Sequence, residues 1–315
     1  MSNLYQKYLG RISTPSLTAG GQSARLRIPS IHMLKKFNLL LEVTTSAALT
    51  SVKTENPQTI VKSINFYADG ECIKKVRAVD LYYLNTLDRG SAGSRTALTT
   101  STSSGECDLE LNFQSLRMTP KDLTDFSAYG CANLDMEIIF GTLDDLGTYT
   151  TQTLTACYVD VVGYYEQNVQ RITPVSIERY VQVPYTTSGQ LSIELSTGRI
   201  CRLIAIKNET TYGAGAESTN YISNISLSAN GKYLFEDVPY AQQKADNKLN
   251  YGVESMPTGF VILDFPRQTR DYNQCWDLRL AKDPKLVLTM VYGSGSPIIT
   301  LHIVELERAG WLIQG

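Results

Sequence analysis

Ser63-Ile-Asn-Phe-Tyr-Ala-Asp-Gly70 and Asn224-Ile-Ser-Leu-Ser-Ala-Asn-Gly231 read as one motif met twice, 161 residues apart. Each is an alternating apolar/polar run that ends in Ala-Asp-Gly or Ala-Asn-Gly. Those last two residues tolerate the left-handed backbone of a type I′ turn, which joins the two strands of a hairpin. Asp69, Gly70, Asn230 and Gly231 are therefore the expected structural turns.

Two further blocks repeat in the same order. Leu109-Glu-Leu-Asn-Phe113 matches Val261-Ile-Leu-Asp-Phe265, and Leu134-Asp-Met-Glu-Ile-Ile-Phe-Gly141 matches Leu286-Val-Leu-Thr-Met-Val-Tyr-Gly293, both at a step of 152. Thr155-Ala-Cys-Tyr-Val-Asp-Val161 matches Thr300-Leu-His-Ile-Val-Glu-Leu306 at a step of 145. The shrinking step means that the second copy has shorter loops. Collinear blocks with matching apolar faces indicate a tandem duplication.

Each block alternates with a period of two, as do Ala24-Leu26-Ile28 and Leu191-Ile193-Leu195, so each is a strand with one core face and one wetter face. Many such strands between Gly, Ser, Thr and Asn turns indicate an antiparallel sandwich or barrel. Helix signals are few. The spacing predicts short helices over about 119–128, Val79 to Leu87 and Val238 to Asn247, with the repeat pair Asp125-Phe126 and Asp277-Leu278 inside helices. Leu4, Tyr5, Tyr8 and Leu9 fall at i, i+1, i+4, i+5, which suits a short amphipathic N-terminal helix. Asp88 to Gly105 reads as a long exposed loop. The expected division is residues 1–20 as an N-terminal arm or short helix, 21–170 as the first barrel and 171–315 as the second, joined by the polar stretch from Gln167 to Pro174.

Composition narrows function. Of 315 residues, 43% are hydrophobic and 19% charged, with a formal net charge of −2. That is enough apolar material for real cores, and it lacks the basic stripe by which phosphate-binding proteins are recognised. No direct nucleic-acid partner is expected. The start shows no secretory h-region and no apolar run long enough to span a bilayer, so a cytosolic, soluble protein is expected. Cys72, Cys107, Cys131, Cys157, Cys201 and Cys275 contain no C-x-x-C and read as free thiols.

Catalytic sets are hard to assemble. The chain has two histidines; His302 falls mid-strand and His32 in a turn-like stretch. Asp144-Asp145 and the strand-borne Asp108, Glu110, Asp135, Glu137 and Asp160 read as solvated sandwich surface rather than a paired-carboxylate site. Ala19-Gly-Gly21 and Tyr212-Gly-Ala-Gly215 lack the strand–helix context of a phosphate loop. Trp276 and Trp311 read as core or interface residues. No catalytic, cofactor-binding or metal residues are assigned, and no cofactor is expected. Two other readings stay open: a carboxylate-dependent, glycan-active two-domain β-sandwich enzyme, and a carbohydrate- or receptor-binding spike protein.

The tandem pattern resembles the double jelly-roll major capsid proteins of the tectivirus and adenovirus-hexon lineage, most of all those of small icosahedral membrane-containing bacteriophages. The likeness is carried by Ile28-Pro-Ser-Ile-His-Met-Leu-Lys-Lys-Phe-Asn-Leu-Leu-Leu, by Ile60 to Gly70, by the strand–short helix–strand order from Phe113 to Phe140, and by Ala156 to Glu166 followed by Ile177-Glu-Arg-Tyr-Val-Gln-Val. The resemblance implies an all-β fold of two tandem eight-stranded antiparallel jelly-roll barrels with a few short helices. It implies a structural role: a homotrimer that forms pseudo-hexagonal capsomers and an icosahedral shell over an internal membrane. Its partners would be itself, neighbouring capsomers, penton or minor capsid proteins, and the membrane, met by Leu4, Tyr5, Tyr8 and Leu9 at the inner face. It would reside in the virion, made and assembled in the host cytoplasm.

Overall fold

Strands in one repeated order build this chain. The structure, a computed structural model, describes residues 3–17, 21–90, 93–114, 117–167, 169, 173–209, 220–266 and 269–307. The chain divides into two units, the first ending at Ser176 and the second running Ile177–Glu307.

The first unit contains β1 (Asn3–Ser13), β2 (Ser23–Ile28), β3 (Met33–Thr45), β4 (Ser51–Val52), β5 (Val61–Ala68), β6 (Glu71–Val76), α1 (Ala78–Arg89), β7 (Arg95–Thr96), β8 (Ser104–Asn112), β9 (Phe126–Ser127), β10 (Leu134–Phe140), β11 (Gly147–Thr148) and β12 (Leu154–Gln167). One sheet runs β1-β12-β3-β8, with β7 beyond β8 and β9 on β3; the facing strands run β2-β10-β5-β6. All these pairs with a resolved register are antiparallel. Along β3, Phe37, Leu39, Leu41 and Val43 are buried while Asn38, Leu40, Glu42 and Thr44 between them are partly open. That is the pleat placing alternate side chains on opposite faces. At one end of this core, Phe66 packs on Phe37, Phe113 and Phe126 with ring centroids 5.5, 5.1 and 5.5 Å away.

The second unit contains β13 (Val175–Pro184, which starts in the last two residues of the first unit), β14 (Gly189–Glu194), β15 (Ile200–Glu209), β16 (Tyr221–Ala229), β17 (Lys232–Pro239), α2 (Tyr240–Tyr251), β18 (Phe260–Asp264), β19 (Trp276–Asp277), β20 (Lys285–Val291) and β21 (Ile298–Glu307). Its strands run β13-β21-β15-β18, with β19 on β15, and β14-β20-β16-β17. Strand for strand this is the order of the first unit. β13 stands for β1, β14 for β2, β15 for β3, β16-β17 for β5-β6, α2 for α1, β18 for β8, β20 for β10 and β21 for β12. Each unit is thus an eight-stranded jelly roll made of two four-stranded layers.

The quoted motif forms matching hairpins. Asp69 and Gly70 have φ of 48° and 89°, and Asn230 and Gly231 have 57° and 70°. Both hairpins also carry a β-bulge at the same place. Phe66 pairs with Lys74 and Tyr67 with Cys72, while Leu227 pairs with Phe235 and Ser228 with Tyr233. The extra residue is Ile73 in one copy and Leu234 in the other.

The structure departs from several sequence expectations. Residues 3–13 form β1 and not a helix, because their backbone is taken up along β12, from Asn3↔Gln167 to Ser13↔Tyr158. The helix expected over 119–128 shrinks to a 3-10 turn, Lys121–Thr124, followed by β9. The Thr124 hydroxyl donates to the Phe113 carbonyl at 2.7 Å, and Phe126 is drawn into the aromatic cluster. Asp125-Phe126 and Asp277-Leu278 therefore lie at β9 and β19, not in helices. α2 starts two residues later than expected, since Val238 still belongs to β17 and pairs with Ile225 of β16. Asp88–Gly105 is only partly loop: α1 and β8 both extend into it, and Leu98 is buried with its N–H donating to Asn56 Oδ1 at 2.6 Å. Within the Gln167–Pro174 stretch, residues 168 and 170–172 lie outside the described residues.

Candidate functional site

Strand pairing places the titratable residues, and it gives them partners. Asp160 on β12 takes two hydrogen bonds from the Arg11 guanidinium on β1, at 2.9 and 2.7 Å, and one from the Tyr8 hydroxyl at 2.9 Å. These bonds outweigh desolvation and hold its carboxyl below the usual range. Glu137 on β10 is pushed up by burial, but hydrogen bonds from Asn65, Arg25 and Tyr67 outweigh that and lower it. Glu110 on β8 follows the same logic between Arg89 and Lys36, at 2.6 and 2.5 Å.

The Asp144-Asp145 pair forms the last two residues of a 3-10 turn, Leu143–Asp145. Asp145 caps that turn through the Thr142 N–H at 2.9 Å and is ion-paired with Lys62. His302 is buried on β21 beside Ala205, with Nε2 3.0 Å from the Glu178 carboxylate. His32 has φ 57° and meets the Tyr5 ring edge-on at 6.3 Å. Asp160, Glu137, Glu110, Asp145 and His302 are engaged in cross-strand, ion-pair or capping contacts, and these contacts do not build a nucleophile–base–orienter arrangement. Among the described residues no three His, Cys, Asp or Glu side chains are placed to hold a metal, and no helix is long and apolar enough to cross a membrane. Trp276 packs against Phe265 at 5.4 Å. Trp311, Ala19-Gly20 and Tyr212–Gly215 lie outside the described residues.

The four N-terminal residues do not share a face. Leu4 and Tyr8 are exposed, at 74% and 58%, while Tyr5 and Leu9 point the other way and are half-buried. A bulge between Tyr8 and Gly10 breaks the alternation there.

Sequence reasoning missed one repeated contact. The Asn85 side chain on α1 donates to the Glu110 carbonyl at 2.9 Å and accepts from the Glu110 N–H at 2.7 Å. Asn247 on α2 does the same to Ile262, at 2.8 and 2.7 Å. The amide imitates one peptide of a neighbouring strand and closes the outer edge of β8 or β18. Aligning the two helices would have revealed it, since Asn85 and Asn247 are the eighth residue of each.

The copies differ at their surfaces. The bulge residue Ile73 is fully buried, whereas Leu234 is 53% exposed. Leu87 of α1 is buried, but Leu249 at the same place in α2 is 82% exposed.

No family model and no curated protein matches the sequence. Solved structures do. The STIV MCP aligns with a TM-score of 0.73 at 14% identity over 99% of this chain and 99% of that one. The major capsid protein P2 from bacteriophage PM2 aligns at 0.66 and 12% over 96% and 98%. The Faustovirus major capsid protein aligns at 0.66 and 8% over 97% and 90%. What this chain shares with these viral major capsid proteins is the fold, two jelly rolls in tandem from end to end.

Proposed function

We propose that this chain is a structural protein, the major building block of an icosahedral viral shell. It works as a homotrimer whose six jelly rolls form one pseudo-hexagonal block, and neighbouring blocks are its principal partners. The observation that carries this reading is the end-to-end match of a duplicated jelly roll to capsid proteins, with no large part of either chain left over. Glu110, Glu137, Asp160 and His302 support a non-enzymatic role, because each of these four already serves the fold.

In its finer form the shell covers an internal membrane, its vertices are closed by penton or minor proteins, and assembly takes place in the host cytoplasm before the chain resides in the virion. Leu4 and Tyr8, exposed on one face of β1, are the residues that would meet the lipid surface; Tyr5 and Leu9 support the strand from its other face. Particles carrying Leu4→Ser with Tyr8→Ser would then lose lipid while keeping their protein shell. Retention of lipid would remove the membrane from this reading.

The main test is the mass of the purified chain by light scattering. A species of three 35.0 kDa chains is expected. A protein that stays monomeric at every concentration overturns the shell reading.

A further inference from the structure

The bulge that both hairpins share singles out a surface. In the first unit the outer edge of β6 is covered. The opening residues of β13, Val175 and Ser176, lie beside it in the sheet, and Lys74 Nζ donates to Ser176 Oγ at 3.1 Å. Val175, Ser176, Ile73 and Lys74 are all buried.

In the second unit the equivalent edge is open. Among the described residues β17 has only β16 beside it. Every residue of β17 is exposed or half-exposed, Tyr233 and Leu234 at 53% each. An edge strand that shows its backbone and an apolar pair to solvent is a template for another chain. The sequence has kept an apolar residue at the bulge in both copies, although only one copy buries it.

We propose that the outer edge of β17, with Tyr233 and Leu234, is a docking surface for a second copy of this chain, and that the second copy covers it with β1. The choice of β1 follows from the repeat. The cover of β6 comes from the start of β13, and β13 is the counterpart of β1, each being the strand beside β21 or β12. β1 is itself an edge strand, with only β12 beside it among the described residues. Charge agrees: β17 carries Glu236 and Asp237 against Lys232, and β1 carries Lys7 and Arg11 with no acidic residue. The contact is heterologous, one edge to a different edge, so successive copies form a ring when the rotation closes.

The inference rests on the self-assembly proposed above and names the surface it uses. The experiment compares wild type with Leu234→Asp and Tyr233→Asp by light scattering, and follows wild-type amide hydrogen exchange in the assembled and the diluted, dissociated states. The variants should melt like the wild-type monomer, because both side chains lie at the surface. Their association should weaken about tenfold or more. The outward-facing amides of residues 232–237 and 3–11, those not already directed at β16 or β12, should gain protection only in the assembled state. If wild type assembles, both variants assemble equally well and the amides of β17 exchange at the same rate in both states, this docking surface is wrong and the shell reading stands. If wild type never assembles, both fall together.

Discussion

Asn85 and Asn247 make the same two hydrogen bonds in the two jelly rolls, each tying its helix to the backbone of the strand at the sheet edge. β8 also carries the short β7 beyond it, away from Glu110, and the two sites differ in their carbonyl partners. The Ile262 carbonyl also accepts from Gln243 Nε2 at 2.8 Å, and α1 places Leu81 at the matching position. Asn247→Ala therefore orphans a buried N–H but leaves the carbonyl partnered, whereas Asn85→Ala takes the side-chain partner from both groups. A buried unsatisfied group costs about 1–3 kcal/mol. Urea unfolding should show both variants destabilised, with Asn85→Ala the worse by about 1 kcal/mol.

Glu305 is fully buried on β21 and receives the Arg179 guanidinium from β13 at 3.1 and 3.2 Å. Arg199, which also pairs with Glu307, approaches it at 3.5 Å. Replacing Glu305 by Ala leaves two guanidinium groups without their shared carboxylate. The two guanidinium groups are 25% and 28% exposed and Arg199 keeps Glu307, so the loss is that of charge-assisted hydrogen bonds, about 1.5–3 kcal/mol. Glu305→Ala should lower the urea midpoint more than Glu307→Ala, whose carboxylate is partly exposed. Equal midpoints would mean that Glu305 does not hold β13 to β21.

The architecture was legible in the sequence because it was written twice. Ala68-Asp69-Gly70 and Ala229-Asn230-Gly231 marked the hairpins, and the period-2 runs marked the core faces. β1 was misread because Leu4, Tyr5, Tyr8 and Leu9 also fit one side of a helix, and the bulge after Tyr8 spoils strict alternation. Its counterpart, Val175 to Pro184, sits before β14 as β1 sits before β2, so comparing the copies would have corrected it. The asymmetry between Ile73 and Leu234 was not legible at all. Both are apolar bulge residues, and only the structure shows that one is covered and the other open.

Thiol chemistry should separate one cysteine from five. Burial pushes the Cys107, Cys157 and Cys275 thiols up to about 12 and Cys131 to about 11, and Cys201 is raised as well. At pH 8 a thiol with a pKa of about 12 is thiolate in roughly one molecule in ten thousand, and the thiolate is the nucleophile. Cys72 is raised too, but it is only half-buried. Brief iodoacetamide treatment at pH 8 should add at most one label to the native chain, at Cys72, and six after denaturation. Several labels on the native chain within minutes would show that the sheets open far more often than this packing implies.

Glu110 makes the final prediction one of acid stability. Its backbone is bound by Asn85, and its side chain lies between Lys36 of β3 and Arg89 at the end of α1. Burial alone would raise its pKa, but the hydrogen bonds from Arg89 and Lys36 bring it below the usual carboxylate range. A carboxyl depressed in the folded state stabilises the fold fully above its unfolded pKa, and that contribution is lost as pH falls through the lower folded value. At pH 7, Glu110→Gln should cost about 1–2 kcal/mol, because the replacement keeps the shape but removes the charge from two bonds. At pH 3, below the ordinary carboxylate range of the unfolded chain, part of that contribution is gone and the gap between the two proteins should narrow. Urea midpoints of both proteins at the two pH values decide it. A gap that is the same at pH 3 and pH 7 would mean that Glu110 contributes through packing and not through its charge.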